Sequence, residues 1–339
     1  MIEAQRQSAA DRGPSEVVLL DVAGLTVRFP SPDGEVHAVE DVSFQVRRGE
    51  SIGIVGESGS GKTVTCMSLT WLLPSPPTRY VTGRIRFDGK DLRRGDERSL
   101  RAVRGRRVAV IFQNARAALD PSYRIGSQIA EMLALQQRLR WADARPRVID
   151  TLRRCNIADA EGVLERYPHQ VSGGVAQRVA IAMALLARPD LVIADEPTTA
   201  LDLLSQLEVL MLLEQIRDEV GCSIILVSHD LAVVRRIADQ VLIMYGGRIV
   251  ERGSTEEIFR DPRHPYTRAL LASSEQRMQG DRLYELPGHT PDLAHLPPGC
   301  AFAARCAFAF DRCRTELPDE FAITPGRSAR CFLSEAGHG

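Results

Sequence analysis

Long apolar runs are missing from this sequence. No stretch of about 18 apolar residues occurs among its 339 positions, so no bilayer-spanning helix is predicted. Charge of one sign is missing too. Lys and Arg number 43 against 44 Asp and Glu, a formal net charge of −1. That balance excludes the global basic field that drives nucleic-acid binding. Residues 1–16 are polar, with no apolar run behind their charges, so a disordered tail is predicted there and not a secretory signal. A cytosolic location follows as an expectation. Lysine is almost absent: Lys62 and Lys90 are the only two in a chain rich in arginine. Cysteine is scarce before position 300. Cys66, Cys155 and Cys222 lie in apolar or helical contexts and are expected as buried thiols, and a disulfide scaffold is not expected in a reducing compartment.

The rest of the composition is ordinary, with 44% hydrophobic and 26% charged residues, enough for a globular core. The length fits about two domains. Strands are predicted at 17–29 and 36–46, and the short apolar run Ser51 to Val55 reads as a buried parallel strand. A helix is expected over about 62–73. Two or three short strands follow in 83–112, then helical periodicity through 122–167. After Ser172 the pattern alternates: helix, strand (191–194), helix (203–219), strand (223–228), helix (231–238) and a strand pair. Such alternation predicts an α/β layered fold with a mainly parallel sheet. Beyond about 280 the composition turns to Pro, Cys and Arg, marking a small C-terminal domain over 280–339.

Gly56-Glu57-Ser58-Gly59-Ser60-Gly61-Lys62-Thr63 fits G-x-x-x-x-G-K-[ST], between an apolar strand and a predicted helix. Glycines let backbone N–H groups wrap a phosphate, and the helix N-terminus adds its positive dipole end. Lys62 supplies a compact point charge to the β- and γ-phosphates, and Thr63 a hydroxyl to Mg²⁺. A planar, forked guanidinium does not substitute for a rotatable ammonium, which explains a Lys retained at 62.

A second apolar strand, 191–194, ends in Asp195 and Glu196. Asp195 is placed to hold Mg²⁺ through water, and Glu196 to orient or deprotonate the attacking water. His229 and Gln113 each follow a strand, the edge where open α/β sheets place ligands. His229 is a candidate donor to a γ-phosphate, and Gln113 a candidate sensor of Mg²⁺ or water. Ser172-Gly173-Gly174 opens a helix. It reads as a plain helix cap or as a second anion site. One phosphate does not need two helix N-termini from one chain, so the second site makes sense if it serves the ATP of a partner chain.

Together these residues resemble the nucleotide-binding subunit of an ABC transporter, over essentially the whole chain. The family's elements occur in its order: P-loop 56–63, Q-loop Gln113, signature 171–175, Walker B Asp195-Glu196, D-loop Ala200-Leu201-Asp202 and switch His229. The resemblance implies a P-loop NTPase fold: a RecA-like core within 17–279, an antiparallel β subdomain, a helical subdomain at about 118–172 and a Cys-rich extension. It implies catalytic roles for Glu196, His229 and Gln113, and Mg²⁺ at Thr63, Gln113 and Asp195. It implies ATP contacts from residues 56–63 and Val64, and contacts to the partner's ATP from Ser172, Gly173 and Gly174. Phe29 stands where the family stacks an aromatic on adenine, and reads equally as a core strand residue. The segment 31–44, the phrase HPYTRALL (264–271) and the Cys-bearing tail resemble ATPase subunits of peptide and nickel importers, with the dipeptide/oligopeptide branch favoured.

That branch implies two permease subunits, a second ATPase subunit, an extracytoplasmic solute-binding protein and a place on the cytoplasmic face of the membrane. Nickel or another small solute is the alternative cargo. A soluble ABC protein is disfavoured because the chain has one cassette and no sustained heptads. The signature departs from the family at Val171 and Val175, and Asn114-Ala115 stand where an acidic residue and Pro are usual. The tail spaces its cysteines C-x5-C-x6-C-x17-C at Cys300, Cys306, Cys313 and Cys331. This lacks the knuckles typical of zinc and the ferredoxin spacings, so spacing leaves a cluster, zinc or free thiols open. Along a straight helix Cys306 and Cys313 would lie about 10.5 Å apart, so the chain must break between them. The resemblance implies a [4Fe–4S] cluster on the four.

Overall fold

The computed structural model describes residues 17–32, 34–92, 96–199, 202–274, 278–279, 282–283 and 286–335. The expectations for 1–16, Ala200 and Leu201 lie outside these residues. The described chain divides into two compact units. A helical unit holds residues 17, 47–50 and 96–225, and a phosphate-loop unit holds 18–46, 51–92 and 226–335.

In the phosphate-loop unit a four-stranded antiparallel sheet runs in the order Gly34–Arg47, Val18–Ser31, Arg79–Phe87, Lys90–Asp91. Ser51–Val55 is buried at all five positions, as an apolar run without alternation demands. It pairs in parallel with Gln240–Tyr245, Ile52 opposite Gln240 and Val55 opposite Ile243. Gln240–Tyr245 turns back through Gly246 and Gly247, at φ 56° and 77°, into the antiparallel strand Arg248–Ser254. Two left-handed residues in a two-residue hairpin are the reason for two adjacent glycines. Tail strand Arg327–Ala329 adds to Arg248–Ser254, with Glu251 opposite Ala329, and Phe321–Thr324 adds to that in turn. Helix Leu231–Ile237 packs on Ser51–Val55 at Gly53, where a Cβ would meet Val234 at 2.2 Å.

In the helical unit Val108–Ile111 pairs in parallel with Leu191–Asp195, in register from Val108–Leu191 to Ile111–Ala194. Between them run helices Ile125–Gln137, Trp141–Arg154, Ala160–Glu165 and Gly173–Leu186. In the first of these Ile125, Ile129 and Leu133 are buried at a spacing of four, the stripe that the periodicity requires. Leu203–Val220 follows, started by Asp202.

Several elements differ from the reading of the sequence, two of them beside the phosphate loop and the strands that follow it. The helix after the phosphate loop stops at Ser68 and not near 73, because Trp71 adopts φ 55° and its N–H donates back to Ser68. Helix Glu97–Val103 was not anticipated between the strands of 79–111. Asp96 starts it by accepting the Ser99 N–H at 3.1 Å.

Candidate active site

The strand Ser51–Val55 delivers the chain into the loop 56–61, and helix Lys62–Ser68 leaves it. Gly61 takes φ 101°, and a Cβ there would meet the Ala38 carbonyl oxygen at 2.3 Å, so only glycine fits. Gly56, Ser60, Gly61 and Lys62 are buried, Glu57 and Val64 half-buried, and Ser58, Gly59 and Thr63 exposed. The Lys62 ammonium donates to the carbonyls of Gly56 (2.7 Å) and Glu57 (2.9 Å), which hold it over the loop. Phe29 is half-buried in Val18–Ser31, and His229 is exposed just after strand Ser223–Ser228.

The helical unit assembles a second set. Asp195 closes its strand at 3% exposure. Glu196 follows at φ 46°, a left-handed conformation that a non-glycine residue adopts at a cost and that recurs at functional sites. Its Oε2 accepts from Gln113 Nε2 at 3.0 Å and from the Thr199 hydroxyl at 2.8 Å. Two donors on one carboxylate oxygen hold that group in a single orientation. Ser172, Gly173 and Gly174 open helix Gly173–Leu186 at an exposed end, the Ser172 hydroxyl accepting the Val175 N–H at 3.3 Å. Arg116 donates to the Val171 carbonyl at 2.5 Å. Asp202 accepts from Ser205 N–H and hydroxyl, and these bonds hold its carboxyl below the usual range.

The chain matches the ABC transporter family over residues 39–199 and the oligopeptide/dipeptide transporter C-terminal region over 250–313. It is 44% identical over 323 residues to the probable peptide ABC transporter ATP-binding protein y4tR of Sinorhizobium fredii, covering 95% of this chain and 96% of that one. It is 42% identical over 324 residues to the dipeptide transport ATP-binding protein DppD of Escherichia coli, covering 95% and 99%. Among solved structures it is similar to cbiO1 of Clostridium perfringens, part of the ABC transporter complex cbiONQ, at 29% identity and a TM-score of 0.60 over 73% of this chain and 92% of that one. This chain belongs to the ABC transporter ATP-binding proteins. Its fold is the P-loop ABC ATPase fold, and its enzymatic activity is ATP hydrolysis.

The ABC subunit's tail brings its cysteines together. Cys300, Cys306, Cys313 and Cys331 line one cavity with His264 and Phe302, and the Cys300 N–H donates to the Cys313 carbonyl at 2.8 Å. Burial is the main reason that the thiols of Cys300 and Cys331 are pushed up to about 11 and that of Cys306 upward. Among the described residues no three His, Cys, Asp or Glu side chains are grouped to hold one metal ion. His264 is 1% exposed. Its Nδ1 accepts the Tyr266 N–H at 3.0 Å, so in the neutral ring Nε2 carries the hydrogen, and that buried N–H has no partner among the described residues. Burial lowers the imidazole to about 3, which keeps it neutral.

The sequence did not point to the second tier of the phosphate loop. Tyr266, in the HPYTRALL phrase, accepts the Glu57 N–H at 2.9 Å, and Arg305 takes the Glu57 carboxylate in a fork at 2.7 and 3.0 Å. The phrase itself was the signal for Tyr266. Arg305 stands 248 positions from Glu57, with no motif around it except the neighbouring Cys306.

Proposed function

We propose that this ABC subunit hydrolyses ATP to energise the import of di- or oligopeptides, as a peripheral subunit on the cytoplasmic face of the cell membrane. No helix among the described residues is long and apolar enough to cross a membrane. Its partners in this reading are two permease subunits, a second ATPase subunit and an extracytoplasmic solute-binding protein. The observation that carries the ATPase part is the glycine-formed loop with Lys62 held over it. The peptide cargo is supported by the match of 250–313 to the oligopeptide/dipeptide transporter C-terminal region and by relatives named for peptide transport.

In this proposal loop residues 56–63 and Val64 wrap the phosphates, Phe29 faces the adenine, and Lys62 neutralises β- and γ-phosphate oxygens. Thr63, Asp195 and Gln113 hold Mg²⁺, whose charge, when it is bound, offsets that of the phosphates. Glu196 takes the proton of the attacking water, Gln113 and Thr199 fix its orientation, and His229 donates to the γ-phosphate. Ser172, Gly173 and Gly174 meet the ATP of the second ATPase subunit, so hydrolysis requires two cassettes. ATP-dependent uptake of a labelled dipeptide in cells lacking this chain tests the reading. Uptake restored by the wild-type chain and not by Lys62→Ala supports it, and undiminished uptake in the deletion rejects it.

Cys300, Cys306, Cys313 and Cys331 are proposed to hold a [4Fe–4S] cluster. Their gathering around one cavity supports the assignment, as does the buried Nε2–H of His264, a donor suited to a thiolate or sulfide acceptor. Four soft thiols are a ligand set that an iron–sulfur cluster takes, and zinc is the alternative metal for them. The cluster would tie four chain points together where little apolar core exists.

A further inference from the structure

Glu57 follows the first glycine of the phosphate loop, and each of its polar groups is engaged. Its carbonyl accepts from Lys62 Nζ at 2.9 Å and from the Ser60 N–H at 3.2 Å, so its position sets that of the lysine charge. Its N–H goes to the Tyr266 hydroxyl, and its carboxylate to the Arg305 fork. Both partners are fixed in turn. Tyr266 is fully buried, and its N–H donates to His264 Nδ1, while the backbone N–H of His264 donates to the Glu251 carboxylate at 2.9 Å. The Arg305 side chain is 5% exposed, donates from Nε to the Pro287 carbonyl at 2.7 Å and from Nη1 to the Tyr245 hydroxyl at 3.2 Å, and lies over the Tyr245 and Phe302 rings.

A carboxylate in a loop that receives a polyanion is an electrostatic liability. Unpaired, it repels the phosphates; paired bidentately with a guanidinium, it becomes a neutral anchor. We propose that Arg305 and Tyr266 are positioning residues for nucleotide binding: from the C-terminal region they clamp Glu57, cancel its charge and thereby hold Lys62 in its place on the phosphate loop. Arg305 immediately precedes Cys306, so the conformation of the cysteine-bearing tail reaches the phosphate loop through this ion pair. The inference rests on the reading of residues 56–63 as the ATP phosphate site.

The test is equilibrium binding of a fluorescent ADP analogue with Mg²⁺ to the purified full-length chain, alongside kcat and KM for ATP in the assembled transporter. Arg305→Ala is expected to weaken binding and raise KM by about tenfold or more, the scale for losing a charged hydrogen-bonded partner, with kcat changed far less. Adding Glu57→Gln to Arg305→Ala should recover much of the lost affinity, because the repelling charge is gone. A merely structural arginine would not be rescued in that way. Arg305→Lys should fall between wild type and Ala. Tyr266→Phe, which keeps the ring and removes the acceptor of the Glu57 N–H, should weaken binding severalfold without lowering the melting temperature as a core truncation does. Wild-type affinity in Arg305→Ala, or a loss that Glu57→Gln leaves untouched, overturns the clamp. Lys62→Ala serves as the reference. If it abolishes binding while Arg305→Ala binds with wild-type affinity, the clamp alone fails, and if Lys62→Ala also binds normally, the phosphate-loop reading fails with it.

Discussion

Glu196 concentrates three observations in one residue: a left-handed backbone, a buried aspartate beside it, and two donors on one carboxylate oxygen. Glu196→Gln keeps the shape and removes the basic oxygen. It is expected to bind ATP normally and to lower kcat by roughly 100-fold or more, the usual contribution of a general base. Steady-state turnover with unchanged KM in the assembled transporter checks this, and near-normal kcat rejects the role of base. Lys62→Arg is expected to lose nucleotide affinity as Lys62→Ala does, since a planar fork does not sit on the two loop carbonyls where the ammonium now donates. An Arg variant with wild-type binding would make Lys62 a mere surface charge, against its 5% exposure.

The elements show why some of the architecture was legible and some was not. Ser51–Val55, Leu191–Asp195 and Ser223–Ser228 are short apolar runs buried throughout, and such runs announce themselves. Glu97–Val103 buries only Leu100 and Val103 in seven residues, too little periodicity to read. Lys62, Thr63, Asp195 and Glu196 could be singled out because the chemistry proposed for them demands fixed local spacing. Arg305 was not, because an ion pair across 248 positions leaves no local pattern. Caps are local again. Ser254 starts helix Thr255–Arg260 as a capping box with Glu257, and the Ser254 hydroxyl is the main reason that the Glu257 carboxyl lies below its usual range. Ser254→Ala should cost about 1 kcal/mol in urea unfolding at neutral pH. The sign follows from the lowered carboxyl: its contribution is present above the unfolded glutamate range and fades as pH falls through the folded value. The gap between wild type and Ser254→Ala should therefore narrow in acid, and a gap that widens there contradicts the capping box.

At the scale of the whole molecule, the C-terminal region carries, besides Arg305, a strand and a cysteine segment. Arg327–Ala329 extends a sheet through backbone hydrogen bonds, and the cysteine segment offers four thiols around one cavity. Neither carries much apolar core: among the described residues Phe302, Ala303, Ala329 and Phe332 are the buried hydrophobics after residue 300. Such a segment gains order from ligand bonds, and the cluster proposal predicts how. Protein purified without oxygen should be brown and contain iron and acid-labile sulfide in about a 1:1 ratio, as a [4Fe–4S] cluster requires. Serine at Cys300, Cys306, Cys313 or Cys331 should lower the iron content and expose the tail to protease. Serine at Cys66, Cys155 or Cys222 should leave the iron untouched, because these buried thiols are not among the residues that line that cavity, those of Cys155 and Cys222 pushed up to about 12 and about 11 by burial. Removing iron with a chelator under air should reproduce the protease sensitivity of the cysteine variants. A colourless protein with one bound zinc would transfer the site to that metal, and a metal-free tail as protease-resistant as the loaded one would remove metal from the tail's stability.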